Sequence, residues 1–354
     1  MKIVTILGAR PQFIKAAPVS RTLRHHGCTE YLVHTGQHYD HTMSGIFFDE
    51  LGVPSPDANL GVGSGSHGRQ TGKMLAEIEM VLLAQRPDWV LIYGDTNSTL
   101  AGALAAAKLQ LRVAHVEAGL RSYNRTMPEE TNRVVADHLS DLLLCPSQAA
   151  MRNLATEGII RGVYVIGDVM MEALAFASNQ AVTHSRVLER LSLAEKKFLL
   201  ATAHRAENVD NPDRLQSILN AFEVLSETRP VVFPVHPRTR QAIQALAYQP
   251  GQHVHLIEPV GYLDMVRLEQ AAALVLTDSG GIQKEAYWLG VPCVTLREET
   301  EWTETVCSGW NVLAGASTVR IVEAARRITP PAEHPPLYGD GQASERCVQF
   351  LESE

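Results

Sequence analysis

Cysteine is scarce. Five residues in 354 (Cys28, Cys145, Cys293, Cys307 and Cys347) are odd in number, scattered and without a CxxC pair. That argues against a disulfide scaffold or a structural zinc and for a reducing compartment, the cytoplasm. An excess of positive charge is lacking too. Lys plus Arg is 31 against 39 Asp plus Glu, a formal net charge of −8, so the surface repels phosphate backbones and anionic lipid, and neither nucleic acid nor a membrane is expected as partner. No apolar run approaches the roughly 18 residues of a membrane span. The opening MKIVTILGARPQ has a short apolar stretch, but Arg10, Pro11 and Gln12 end it too soon for a secretion signal, and it reads as a buried first strand.

What is present is 45% hydrophobic sequence, arranged as short β-branched runs alternating with longer amphipathic segments. KIVTIL (2–7), WVLIY (89–93), RVAHVE (112–117), DLLLC (141–145) and VYVIG (163–167) look like strands buried on both faces, with helical segments at 10–26, 70–86, 97–109 and 129–139. FLLATA (198–203), VVFPVH (231–236), VHLIE (254–258), LVLTD (274–278) and VPCVTL (291–296) repeat the rhythm, with helices at 211–228, 238–247, 262–272 and 280–290. Two successive strand–helix sets predict an α/β protein of two Rossmann-like doubly wound domains with a cleft between them. The expected boundaries are 1–168 plus 340–354 for the first and 169–339 for the second, with a hinge after Gly167 and the proline-rich 329–336 leading to a last helix near 340–352.

Six segments fall at predicted strand ends, where the following loop faces the crevice of such folds. They are GARPQFIK (8–15), GDTNST (94–99), EAGLRS (117–122), AHRAEN (203–208), VHPRTR (235–240) and DSGGIQKE (278–285). In the last, Gly280 and Gly281 allow close backbone approach to a ligand, and a helix starting near Ile282 offers free N–H groups to a phosphate. Ser279 suits the same cradle or a plain helix cap, and Glu285 is placed to take a ribose diol. Arg10 and Lys15 suit a diphosphate, although Lys15 reads equally well as a surface cation.

Asp95 suits chemistry or a cap on the helix from Thr96. Glu117 closes an apolar strand, which costs several kcal/mol unless the carboxylate is paired or faces a cleft. Glu129 lies in a first helical turn, with Arg133 four residues on as its partner or as a phosphate ligand. His204 suits proton transfer, and His236 is a second candidate. His25, His26, His34, His38 and His41 are expected on the surface. The spacing of His34, His38 and His41 might suggest a metal, but no neighbouring acid fits a usual ligand pattern, and no metal site is expected there. GVGSGSHG (61–68) follows no strong strand, and HGRQTGKM (67–74) lacks the Ser/Thr of a P-loop. Nicotinamide, metal and nucleophile motifs are absent, so no cofactor is expected. Acid–base and electrostatic chemistry on a nucleotide diphosphate remains, as in glycosyl transfer or sugar isomerisation.

Taken in order along the whole chain, GARPQFIKAAP, GDTNSTLAG, HVEAGLRS, MPEETNR, AHRAEN, PVHPRTR, LTDSGGIQKEA and LYGDGQAS resemble the non-hydrolysing UDP-N-acetylglucosamine 2-epimerases. The resemblance implies a glycosyltransferase-B-like fold whose C-terminal helix returns to the first domain, a cytoplasmic homodimer, and a UDP-2-acetamido sugar as substrate for surface polysaccharide synthesis. By motif position it implies Asp95, Glu117, Glu129 and His204 as the catalytic group. Arg10, Lys15, Arg133, His236, Ser279, Gly280 and Gly281 would hold the diphosphate and Glu285 the ribose. Residues near Gln37, Arg69 and Gln70 would serve a second, activating UDP-sugar. Ala9 and Gln12, Ala206, and Trp302 and Thr303 depart from the commonest GTRPE, HRRE and TERPE forms and are more similar to a subgroup acting on UDP-2,3-diacetamido-2,3-dideoxy-glucuronate. A glycosyltransferase using a UDP-sugar donor and a non-catalytic UDP-sugar sensor are the alternatives.

Overall fold

The computed structural model describes residues 1–37 and 55–354. The described chain divides into two compact units, Met1–Phe176 with Tyr338–Glu354, and Ala177–Leu337. The chain passes from one to the other within the helix Val169–His184.

In the first unit the strands are β1 (Lys2–Leu7), β2 (Thr29–His34), β3 (Ala58–Asn59), β4 (Trp89–Tyr93), β5 (Val113–Val116), β6 (Leu142–Cys145) and β7 (Val163–Val165). They form one parallel sheet in the order β3-β2-β1-β4-β5-β6-β7. The order reverses between β1 and β4, the place where doubly wound sheets open a crevice beyond their strand ends. Apolar side chains pack on both faces. Ile3, Leu7, Leu91 and Val116 join Ala343, Cys347, Val348 and Leu351 of the C-terminal helix Ala343–Ser353 on one side. Val4, Ile6, Val90 and Val113 meet Met74, Ile78 and Leu82 on the other. The alanine-rich helix Asn97–Lys108 is capped by Thr96, whose hydroxyl accepts the Thr99 N–H. Its small side chains let it lie close to the sheet, with Gly102 against Ile6 and Ile92.

The second unit holds β8 (Leu199–Thr202), β9 (Val231–Pro234), β10 (Val254–Ile257), β11 (Leu274–Thr277), β12 (Cys293–Thr295) and β13 (Asn311–Leu313). These are also all parallel, in the order β10-β9-β8-β11-β12-β13, with the reversal between β8 and β11. Phe222, Phe233, Leu276 and Ile321 are among the core on one face, and Phe198, Leu200, Val275 and Val291 on the other. Both units are therefore doubly wound α/β sheets.

Three strands escape the sequence pattern. β2 opens with Thr29-Glu30-Tyr31, only half-buried, so it lacks the continuous apolar run of an inner strand, yet it pairs along its whole length with β1. β3 and β13 are edge strands of two and three residues. His34 is buried rather than on the surface, its ring edge-on to Phe13 with centroids 5.0 Å apart. His38 and His41 lie outside the described residues. HGRQTGKM is part of the helix His67–Gln85 rather than a loop.

Candidate active site

The loops after β1, β4 and β5 leave the same edge of the first sheet, and Gln12 ties two of them together. Its side-chain oxygen accepts the N–H groups of Gly8 and Ala9 at 2.8 and 3.0 Å, while its amide nitrogen donates to the Tyr93 carbonyl and the Thr99 hydroxyl. Gln12 thus closes the N-terminus of the helix Arg10–His25 and anchors it to the end of β4. Arg10 opens that helix. One turn later Lys15 forms an ion pair with Glu117, both side chains nearly enclosed. Lys15 is therefore no surface cation, and pairing meets the cost of a carboxylate at the end of β5. Glu117 adopts φ +70°, a left-handed conformation that strains any residue but glycine and is held here by the surrounding structure.

Asp95 does not cap the following helix; Thr96 does. The Asp95 carboxylate pairs instead with Arg133 of the helix Pro128–Leu139, and Asn132 donates to the Asp95 carbonyl at 2.9 Å. Arg133 is not bound to Glu129: its other nitrogen meets Glu130 at 2.8 Å. Burial works against ionisation of Glu130, but the N–H groups of Ser122 and Tyr123 and the Arg133 charge outweigh it and hold the carboxyl below its ordinary range. The carboxylate of Glu129, half-buried in the same first turn, makes no hydrogen bond or ion pair among the described residues. Asp95, Glu117 and Glu129 are thus borne by three neighbouring segments, two of them each with a cation attached.

Near the same edge Gln37 accepts from Ser98, through the backbone N–H at 3.2 Å and the hydroxyl at 2.7 Å. Gln70 uses both ends of its amide on the chain itself, accepting from Asn97 and donating to the Gly63 carbonyl at 2.8 Å each. Arg69 is exposed.

In the second unit the loops after β8 and β11 meet through Asp278, a fully buried carboxylate. It accepts the N–H groups of His204 and Arg205 and the Asn208 amide at 3.0–3.1 Å, and its Oδ1 lies 3.3 Å from the His204 ring. One side of that ring is enclosed, although 45% of the side chain remains open to solvent. The partial desolvation lowers the His204 pKa from the usual 6.5; Asp278 raises it, and Arg205 and His236 add to the lowering. His236 caps the helix Pro237–Ala245, its Nδ1 accepting the Arg238 N–H at 3.3 Å. Ser279 caps the helix Gly280–Trp288. A Cβ on Gly280 would lie 2.6 Å from the Glu301 carboxylate and 3.1 Å from the Trp302 indole nitrogen, so a side chain there would have to displace Glu301. Glu285, buried one turn on, accepts from the Tyr262 hydroxyl at 3.1 Å.

A family model described as UDP-N-acetylglucosamine 2-epimerase matches residues 21–352. The chain belongs to that family. A UDP-N-acetylglucosamine 2-epimerase homolog of Methanococcus maripaludis is 51% identical, over 99% of both chains. The UDP-2,3-diacetamido-2,3-dideoxy-D-glucuronate 2-epimerase of Pseudomonas aeruginosa is 51% identical over the same shares. The crystal structure of Methanocaldococcus jannaschii UDP-GlcNAc 2-epimerase with UDP-GlcNAc and UDP matches with a TM-score of 0.93 at 42% identity, covering 100% of each chain.

This family member carries one buried cluster that its sequence does not advertise. His115, in the middle of β5, is fully enclosed between the Gly94 carbonyl, 2.7 Å from Nε2, and Asp137, 2.8 Å from Nδ1. Asp137 also accepts from Arg121 at 2.6 Å and from the Gly119 N–H, and Arg121 is itself clamped by Glu157 at 2.7 Å. The only signal was a polar residue inside an apolar strand.

Proposed function

We propose that this protein is a non-hydrolysing 2-epimerase of UDP-2-acetamido sugars of the UDP-N-acetylglucosamine to UDP-N-acetylmannosamine type. The C2–H of such a sugar has no adjacent carbonyl and is barely acidic, so removing it alone is too slow. Loss of the proton from C2 with cleavage of the C1–O bond gives enzyme-bound 2-acetamidoglycal and UDP. UDP then adds back to C1 while C2 receives a proton on the opposite face, and the product differs from the substrate only in configuration at C2. The reaction needs an acid, a base and cations for the departing diphosphate.

The observation that supports this reading is the placement of Asp95 and Glu117 at one edge of the first sheet, each paired with a cation, Arg133 and Lys15, with Glu129 on the helix that carries Arg133. In this proposal those carboxylates and His204 exchange the protons. Arg10, Lys15, Arg133, His236, Ser279, Gly280 and Gly281 hold the diphosphate, and Glu285 the ribose. The product serves surface polysaccharide synthesis. A second UDP-sugar near Gln37, Arg69 and Gln70, a homodimer and a cytoplasmic location belong to the same proposal. Among the described residues no helix is long and apolar enough to cross a membrane.

A second substrate, UDP-2,3-diacetamido-2,3-dideoxy-glucuronate, is favoured by Gln12, Ala206 and Trp302 and by the Pseudomonas relative. One experiment tests both. Each sugar is incubated with the protein in D₂O, and NMR follows deuterium at C2. Incorporation into one of them identifies the substrate. UDP release only on addition of an acceptor would mean a glycosyltransferase, and tight binding with unchanged sugar would mean a sensor.

A further inference from the structure

We infer that His115 is a positioning residue that sets the carboxylates of Asp95 and Glu117 for proton transfer, an inference that rests on the epimerase reading above. The hydrogen positions follow from its partners. The Gly94 carbonyl only accepts, so Nε2 carries a hydrogen. Asp137 already receives donors from Gly119 and Arg121, a set that suits an ionised carboxylate, so Nδ1 donates as well. The buried ring is held between two acceptors, in a cluster that also contains the Arg121–Glu157 ion pair.

What those acceptors belong to gives the ring its role. Gly94 immediately precedes Asp95 and adopts φ +60°; a Cβ there would lie 3.2 Å from the Lys15 ammonium and 3.3 Å from the Glu117 carboxylate. Its amide is fixed to the Val116 carbonyl at 3.0 Å. Asp137 grips the amide of Gly119, two residues beyond the strained Glu117. It also lies on the helix whose Asn132 and Arg133 hold Asp95. One ring therefore ties together the three segments that bear Asp95, Glu117 and Glu129. Releasing it lets these segments relax independently, and a displacement near 1 Å is enough to cost about 100-fold in rate.

The test compares His115→Gln, whose amide nitrogen falls near the place of Nε2 and keeps the Gly94 bond, with His115→Asn, which reaches only toward Asp137. Turnover and deuterium entry at C2 are measured per UDP-binding molecule, counted by calorimetry. We expect His115→Asn to lower kcat about 100-fold with KM and UDP affinity within about threefold, and His115→Gln to recover about tenfold of that loss. A kcat per UDP-binding molecule equal to wild type in His115→Asn overturns the inference. Should that variant bind no UDP, ¹⁵N NMR of the wild-type ring decides: two protonated ring nitrogens support the tether, and a single one overturns it. A wild-type protein that exchanges no deuterium with either sugar overturns the epimerase reading and this inference with it. An active wild type beside an unaffected His115→Asn overturns the inference alone.

Discussion

Asp137 allows charge to be separated from shape in the buried cluster of the first unit. Its side chain is wholly enclosed and receives His115 at 2.8 Å, Arg121 at 2.6 Å and the Gly119 N–H at 3.1 Å. Asp137→Ala strands the Nδ1–H of His115, at about 1–3 kcal/mol, and removes a charge-assisted bond from Arg121. Arg121 keeps Glu157 and the Leu120 carbonyl, so the total falls toward the lower end for a broken buried pair, about 3–4 kcal/mol at pH 7. For a unit of this size that lowers Tm by roughly 6–16 °C. Asp137→Asn behaves differently. If the ring keeps its hydrogen only on Nε2, Nδ1 accepts from the new amide, whose oxygen still accepts from Arg121 and Gly119. Every group is then satisfied with no charge on the ring or on residue 137, and the loss is about 1 kcal/mol.

Acid separates the two further. Burial pushes the Asp137 carboxyl up, but the hydrogen bond and charge of His115, then those of Arg121, outweigh it and hold the pKa below the ordinary 3.8. A depressed carboxyl lends stability that is complete above its unfolded pKa and disappears as pH falls through the lower folded value. The wild type therefore shows this acid step and Asp137→Asn does not. Hydrogen exchange of peptides spanning 113–145, followed against pH, reads the first unit without interference from the second. Losses below about 1 kcal/mol in both variants at pH 7 would refute the ionic account of the cluster.

Asp95→Asn should lower kcat by about 10²–10⁴ while calorimetric UDP affinity stays within about threefold; unchanged turnover would remove Asp95 from the chemistry. His204 sits below its usual 6.5, so it is neutral at pH 7, and the acid limb of kcat/KM should have its midpoint below pH 6.5; His204→Gln should abolish that limb along with most turnover. Gly119 has φ +82° and lies where a Cβ would come within 2.4 Å of the Ala150 carbonyl oxygen, so Gly119→Ala should destabilise by at least about 2 kcal/mol in urea unfolding.

The inner strands of both sheets were legible because β4, β8 and β11 are continuous apolar runs, which only a sheet covered on both faces explains. β2 was not, because its first half is only half-buried and its membership comes from pairing with β1. Glu117 was legible as a problem, a carboxylate closing a buried strand, and Lys15 is the solution. The Asp95–Arg133 pair joins residues 38 apart in sequence, which no local pattern reveals. His115 stayed hidden for the same reason. Alone, it is one polar side chain within Ala-His-Val; its meaning lies in Asp137, 22 residues away, and in the backbone carbonyl of Gly94, just past the end of the neighbouring strand.

Residues 343–353 are translated only after the whole of the second sheet, yet Cys347, Val348 and Leu351 belong to the interior of the first, and the Leu351 carbonyl receives the Trp89 indole N–H at 3.1 Å. A growing chain on the ribosome therefore has every strand of its later sheet available while the earlier one still lacks a wall. The first sheet is thus covered completely only once the last helix has been made, and in the interval the unfinished apolar surface around Trp89 is what a chaperone would find.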